Sequence, residues 1–296
     1  MLIEAQASPF QSVPAARYLN RAALILCGLL GVALIAVYFP ALRWTAQILF
    51  SSEDMAHGLF APLVALYIAV SKRGEILQQP AAPSMWGILV LAIAGAAGVI
   101  ASVGTSATLQ RFAFLASLIG CIVLVGGLPA LLRLKFPLFL LLFTFPIPQL
   151  LYAEITAPLQ SWATILSEKT LALAGFSVIR EGNLLELPHY RLSIVEACSG
   201  IRSLITLAFF CVLYAYFLEE RTWARLAVVA LSIPAALILN VVRITATGIL
   251  GEFNPRFTQG IYHEALGWAC LALAFGLVLV LHRGLRYVNR SPPLVR

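Results

Sequence analysis

Long uninterrupted runs of apolar residues recur along the chain, separated by short polar segments. A helix needs about 20 apolar residues to cross the hydrocarbon core of a bilayer. The pattern predicts about eight membrane-spanning helices, at residues 20–41, 57–71, 85–104, 112–132, 136–152, 200–218, 222–250 and 264–283. The second run is short, and Pro146 and Pro148 are expected to kink the fifth or make it re-entrant.

The segment 153–199 is the longest stretch between predicted spans, and it divides into two parts. Its first half has apolar residues at helical spacing, which indicates an amphipathic helix on the bilayer surface. These residues are Ile155, Leu159, Trp162, Leu166, Leu173 and Phe176. The second half is rich in β-branched residues and contains Gly182-Asn183 and Pro188-His189, so it predicts a small β-hairpin or a pair of hairpins. The predicted fold class is therefore an all-α polytopic membrane protein with a small extracytoplasmic helix and hairpin before the sixth span.

Composition agrees with a membrane protein. Of the 296 residues 61% are hydrophobic and only 11% are charged, and the mean hydropathy is +0.92. The net charge of +7 is typical of cytoplasmic loop anchors, and no basic patch interleaved with aromatic residues indicates nucleic-acid binding. The first apolar run lacks a small-residue cleavage site, which favours a retained helix over a removed signal peptide.

The distribution of basic residues predicts the orientation. With the N-terminus inside, 12 of the 20 lysines and arginines fall on the cytoplasmic side, and the positive-inside rule then favours both termini inside. The expected organisation is a cytoplasmic tail at 1–19, a transmembrane domain at 20–283 and a basic cytoplasmic tail at 284–296.

Three reactive side chains are predicted at the outer ends of neighbouring spans. Cys198 precedes the sixth span, Arg243 lies near the outer end of the seventh, and His263 precedes the eighth. A thiolate at a helix N-terminus is a nucleophile, an imidazole can move its proton, and a guanidinium can stabilise an oxyanion. Together they form an acyl-transfer set.

Other residues compete for these roles or support them. His57 and His189 are alternative bases, and Arg202 is an alternative cation that can equally anchor its helix at the headgroups. Asn240 shares a helical face with Arg243 and is expected to orient it. Glu264 is a candidate orienter of the neighbouring His263.

Neither a metal nor a cofactor is predicted. The four histidines lack H-E-x-x-H spacing, and there is no Cys-x-x-Cys motif, phosphate loop or dinucleotide fingerprint. The remaining cysteines lie inside apolar runs, where cysteine is usually a small buried hydrophobe. They are Cys27, Cys121, Cys211 and Cys270.

These motifs carry a resemblance to a known family. The segment EACSGIRSL, followed by NVVR and the histidine of YHEALGW, closely resembles the exosortases, bacterial membrane transpeptidases related to archaeosortases. DMAHGLFAPLVALY and REGNLLELP resemble two further segments of that family. Cys198 matches the family nucleophile, Arg243 the family arginine and His263 the family histidine. This order favours Arg243 over Arg202 and His263 over His57.

The resemblance implies a substrate class and a reaction. Exosortases are thought to act on secreted proteins with a C-terminal sorting signal, namely a Pro-Glu-Pro-type motif, a transmembrane helix and a basic tail. The cysteine would cleave near the motif through a thioester acyl-enzyme, for sorting to the surface or to an exopolysaccharide matrix. Arg180, Arg191 and Arg243 are candidate contacts for the acidic motif.

Two other functions remain open from the residues alone. A non-enzymatic transporter or polysaccharide-export component would use the intramembrane Arg243 as part of a pathway. An intramembrane protease would need catalytic groups in the middle of its spans, whereas here they lie at span ends.

Overall fold

The computed structural model describes residues 21–51, 55–77, 82–194 and 200–288. The chain divides into two compact units, one made of residues 1–51 and 58–146 and the other of 52–57 and 147–296. The prediction of a mostly helical, polytopic protein is confirmed. In the described residues five helices are long and apolar enough to cross a membrane, or six if one bent pair is counted as a span.

The first unit begins with a broken span. Helices α1 (Arg21–Val37) and α2 (Phe39–Ser51) meet at an angle of 72°. The second predicted span forms α3 (Ala56–Ser71), which has 16 residues and is shorter than the usual transmembrane helix. A short helix, α4 (Arg73–Leu77), follows it.

The close pair in this unit is α5 (Trp86–Val103) and α6 (Ala107–Leu140). Their backbones touch at glycines, since a Cβ on Gly87 would lie 2.4 Å from the amide nitrogen of Leu124. Small residues at such crossings permit dense packing between membrane helices. The hydroxyl of Tyr38, at the bend between α1 and α2, lies 3.0 Å from that of Ser117 in α6 and 3.4 Å from a carbonyl of α5.

The predicted boundary between the fourth and fifth spans is wrong. Arg133 and Lys135 suggested a loop, but both lie inside α6, which spans 34 residues and is kinked at Gly127. Gly127 has a non-helical backbone conformation (φ 70°, ψ −168°), so two helical stretches meet there, and the break lies before Arg133 and not at the charged residues. After α6 a 3-10 turn (Leu141–Thr144) ends the helix, and α7 (Gln149–Leu173) follows Pro148.

The second unit contains α7, a small sheet and three long helices. Strands β1 (Ile179–Glu181), β2 (Leu184–Glu186) and β3 (Arg191–Ser193) form an antiparallel sheet in chain order. Helices α8 (Ile201–Leu218) and α9 (Thr222–Phe253) come next. A 3-10 turn (Pro255–Thr258) leads into α10 (Gly260–Val288).

Helix α7 presents apolar side chains outward, as its sequence pattern predicted. Trp162 is 61% exposed, whereas the face toward the rest of the unit carries small or polar residues such as Ala163, Thr164 and Ser167. The sheet covers part of this unit through Leu185, Leu187, Leu192 and Ile194, which pack with Ala163, Leu171 and Ile244 in one apolar core. This core fixes the sheet on α7 and α9.

Candidate active site

Arg243 and His263 are brought together by α9 and α10. Nη2 of Arg243 donates a hydrogen bond to Nε2 of His263 over 2.8 Å. An arginine has no acceptor atom, so this contact requires an unprotonated Nε2 and hence a neutral imidazole with its proton on Nδ1. Arg243 is 6% exposed, and within the described residues its Nε has no hydrogen-bond partner.

Glycine at position 267 leaves room for the guanidinium. A Cβ there would lie 3.4 Å from both Cζ and Nη2 of Arg243. Gly267 comes four residues after His263 on α10, one helical turn away, so both face α9. A larger side chain at 267 would compete with the arginine for this space.

Asn240 lies one turn before Arg243 on the same face of α9, as the sequence predicted, and is 3% exposed. Its side chain packs against Gly200, where a Cβ would lie 2.8 Å from Nδ2. Gly200 has φ +82° and caps the start of α8, which requires glycine because L-residues rarely adopt that conformation. Cys198, two residues earlier, falls in the segment 195–199, outside the described residues.

A cavity of about 220 Å³ opens beside this pair. Its walls come from α8, α9 and α10. The lining residues are Arg202, Ser203, Thr206, Arg243, His263, Glu264, Gly267, Trp268 and Leu271. Two guanidinium groups, an imidazole and a carboxylate therefore face one partly apolar space.

Arg202 lies in this cavity. The sequence predicts either an alternative cation or an anchor at the headgroups, and the structure places Arg202, the second residue of α8, in the wall of the cavity with Arg243 and His263. Glu264 also lines the cavity, one position after His263.

His57 contacts the cavity indirectly. Its Nδ1 lies 3.2 Å from the hydroxyl of Thr206, a cavity-lining residue of α8. The imidazole is 3% exposed, and the ring of Phe209 lies 6.2 Å from it between centroids. His57 therefore lies behind Thr206 and is not itself among the lining residues.

The remaining alternatives lie elsewhere. His189 is exposed and pairs with Glu252, with Nδ1 2.6 Å from the carboxylate. Arg180 pairs with Glu168 at 2.9 Å, and Arg191 donates to Glu186 at 2.6 Å. These three side chains belong to the sheet region and do not line the cavity.

The sequence reading missed several lining residues. Thr206 and Trp268 follow Arg202 and Glu264 by four positions, the spacing that puts residues on one helical face. Helical spacing from the reactive residues would have identified them. The volume that Gly267 leaves open was not visible in sequence, because it depends on how closely α9 and α10 approach.

The membrane helices and the polar cavity define the chain as a polytopic membrane protein with a histidine–arginine site between α9 and α10. Residues 44–280 match the sequence model of the transmembrane exosortase family, and the chain belongs to that family. No curated protein and no solved structure matches the chain.

Proposed function

We propose that the protein is a membrane cysteine transpeptidase or protease that cleaves C-terminal sorting signals of secreted proteins through a thioester acyl-enzyme. The observation that carries this proposal is the hydrogen bond between Arg243 and His263 at the edge of the cavity. Family membership supports the same class of reaction. The substrate class remains that of a short Pro-Glu-Pro-type motif, a transmembrane helix and a basic tail.

Cys198 is the proposed nucleophile. Two trans peptide bonds limit the distance between its Cα and that of Gly200 to about 7.6 Å. Gly200 in turn contacts Asn240, one turn from Arg243. This connectivity supports a position of the thiol near the arginine.

The first half of the reaction forms the thioester. The Cys198 thiol gives its proton to His263, and the sulfur attacks the scissile carbonyl carbon. The carbonyl oxygen becomes an oxyanion, which accepts hydrogen bonds from Arg243. Collapse of this intermediate breaks the C–N bond, and the departing amine takes the proton from His263.

The second half releases the product. An acceptor amine, hydroxyl or water gives a proton to His263 and attacks the thioester carbonyl. Arg243 again stabilises the oxyanion, and the departing Cys198 thiolate takes the proton from His263. The enzyme is thereby restored without a metal or redox step.

The neutral imidazole fits this sequence of proton transfers. Only an unprotonated nitrogen can accept the thiol proton, and Nε2 is that nitrogen, so its hydrogen bond from Arg243 has to break as the thiol proton arrives. Once His263 is protonated it can no longer accept that bond. The guanidinium donor is then released at the step in which the oxyanion forms.

A reporter experiment tests the proposal. A tagged protein carrying a Pro-Glu-Pro motif, a transmembrane helix and an arginine tail is expressed with wild type, Cys198→Ala or Cys270→Ala. We expect cleavage to be lost only with Cys198→Ala, because Cys270 is buried at 6% exposure inside α10. Equal reporter processing by wild type and Cys198→Ala would contradict the proposed nucleophile.

A further inference from the structure

The connection between β2 and β3 is bonded to the end of α9. The backbone amide of His189 donates to both carboxylate oxygens of Glu252, over 3.2 and 3.0 Å. The ring Nδ1 of His189 lies 2.6 Å from one of them. The carboxylate is 11% exposed, so it is held largely by these contacts.

The neighbouring Tyr190 reaches the turn that leads to α10. Its hydroxyl donates to Oγ1 of Thr258 over 3.0 Å, and Thr258 donates to the carbonyl of Pro255 over 2.8 Å. The tyrosine ring lies flat on Gly251, where a Cβ would be 2.4 Å from Cδ1. Any side chain at position 251 would therefore clash with the ring of Tyr190.

The last strand of the sheet, β3, is followed in the chain by Ile194 and then by Cys198. Ile194 is 2% exposed, and its amide donates to the carbonyl of Asn183 over 2.9 Å. Leu192 and Ile194 pack in one core with Ile244, the residue after Arg243. Cys198 follows Ile194 by four residues.

The sheet and the connection between β2 and β3 thus contact α9 and the turn before α10, and the last strand precedes Cys198 in the chain. Beneath the sheet lies the part of α9 that holds Arg243, and beside it lies the turn five residues before His263. We propose that His189, Tyr190 and Glu252 are positioning residues, which fix the α9–α10 connection relative to the strand that precedes Cys198. This inference rests on the proposed function and adds to it a second set of residues on which the reaction depends.

The physical reason is geometric. Acyl transfer requires sulfur, imidazole and guanidinium to meet one carbonyl, and a displacement of about 1 Å can cost about a hundredfold in rate. Arg243 and His263 are 20 residues apart and separated by a turn. His189 is bonded to the last turn of α9 and Tyr190 to the 3-10 turn that follows, so the connection between β2 and β3 holds both parts.

The sheet offers a matched control. Glu168 of α7 pairs with Arg180 of β1 at 2.9 Å, just as Glu252 of α9 pairs with His189. Both glutamates lie in helices, so Glu168→Ala and Glu252→Ala each remove one carboxylate that ties a helix to the sheet. Only Glu252→Ala loosens the turn that precedes His263.

Reporter cleavage is measured in membranes containing equal amounts of folded protein. We expect Glu252→Ala and Tyr190→Phe to lower the cleavage rate by about tenfold or more, and Glu168→Ala to leave it within about twofold. Thr258→Val should lower the cleavage rate as much as Tyr190→Phe does, and the double variant should be little slower than either one. Thr258→Ser should retain the wild-type rate. Equal losses for Glu168→Ala and Glu252→Ala would overturn the proposal, because a general weakening of the sheet predicts that result.

A second readout does not need a substrate. The rate at which a membrane-impermeant alkylating reagent modifies Cys198 is measured against pH, in a background without the other cysteines. The His263→Ala variant serves as the reference, because it gives the pH profile of alkylation for a thiol without its base. We expect Glu252→Ala and Tyr190→Phe to move the profile toward that reference, and Glu168→Ala to keep the wild-type profile.

The two readouts separate the possible failures. If His263→Ala leaves the alkylation profile of Cys198 unchanged and no reporter is cleaved, the proposed function is wrong. If His263→Ala changes the profile but Glu252→Ala and Tyr190→Phe do not, the catalytic pair stands and the positioning role is wrong.

Discussion

Arg243 donates a hydrogen bond from Nη2 to Nε2 of His263 across the interface of α9 and α10, over 2.8 Å. Because arginine cannot accept a hydrogen bond, this geometry assigns the tautomer of the histidine as well as its position. The contact also links the proposed base with the proposed oxyanion donor, so a change in one should alter the other.

Arg243→Lys should lower reporter cleavage by about a hundredfold or more, although the positive charge is kept. The planar guanidinium presents several N–H donors in a fixed geometry, so it can hold the imidazole before the reaction and the oxyanion once it forms, while an ammonium group offers a single point of charge. Cleavage rates are compared at equal membrane insertion, with Arg256→Lys as a control on the exposed 3-10 turn. Full activity of Arg243→Lys would show that charge alone suffices.

His263→Ala should abolish cleavage, whereas His189→Ala should retain at least about a tenth of it. His263 lines the cavity, while His189 acts on the site only through its contact with Glu252. The backbone amide of His189 still donates to that carboxylate in the alanine variant. A larger loss for His189→Ala than for His263→Ala would show that the base is misassigned.

His57→Gln and His57→Ala test whether the buried His57 acts through Thr206. Glutamine can keep a hydrogen bond to the Thr206 hydroxyl, now 3.2 Å from Nδ1, but it cannot carry a proton at neutral pH. We expect His57→Gln to cleave the reporter several-fold faster than His57→Ala. If both variants were fully inserted in the membrane but inactive, the result would indicate that His57 transfers a proton and does not act by holding Thr206.

The sequence predicted that Arg243 and Asn240 share a face of α9, because helical periodicity places residues three apart on one side of a helix. It also placed α5, α8, α9 and α10 within a few residues, since long apolar runs leave little choice of structure. The boundary at Arg133 and Lys135 was wrong because charge was taken to end a span, whereas the helix continues through both residues.

The environment of Arg202 could not be derived from local sequence. Its position at the start of a span fits both a headgroup anchor and a cavity wall, and the packing of α10 against α8 and α9 decides between them. The same holds for His57, which lies 149 residues from its partner Thr206. Contacts of this separation leave no periodic signal in a single sequence.

Gly267→Leu should reduce cleavage strongly, while Gly276→Leu should not. A Cβ at 267 would already touch the guanidinium of Arg243 at 3.4 Å, and the rest of a leucine would enter the cavity. At Gly276, in the same helix, no heavy atom lies within 4 Å of the place that a Cβ would take. Comparable losses in the two variants would indicate a general effect on α10 and not the filling of the site.

Gly200→Ala should destabilise the protein by more than Gly175→Ala does. The two glycines have similar positive φ angles of +82° and +88°, and an L-residue in this region costs about 1 to 2 kcal/mol. Only at 200 does a Cβ also meet Asn240, at 2.8 Å, because Gly175 has open space around it. Thermal unfolding in detergent measures the difference, and Asn240→Ala should remove the excess if the contact causes it.

Glu219, in the turn between α8 and α9, is expected to stabilise the fold in a pH-dependent manner. Its carboxylate is 3.0 Å from Nε2 of His282 and 3.4 Å from Nη1 of Arg286, and it accepts hydrogen bonds from the backbone amides of Glu220 and Arg221. Burial raises the pKa of Glu219, but the amide of Arg221 and the charges of Arg286 and His282 lower it by more, so the net pKa is lowered. Removing one member of such a buried pair costs about 3 kcal/mol or more.

A lowered pKa in the folded state contributes stability that is fully present above the ordinary glutamate value and is lost as the pH falls through the folded value. Glu219→Gln should therefore lower the melting temperature at pH 7, and the gap to wild type should narrow below about pH 4. Glu220→Gln, at the exposed neighbouring position, should change the melting temperature little at either pH. If the difference in melting temperature between wild type and Glu219→Gln instead stayed constant from pH 7 to about pH 3.5, that result would show that the ionised carboxylate does not cause the stabilisation.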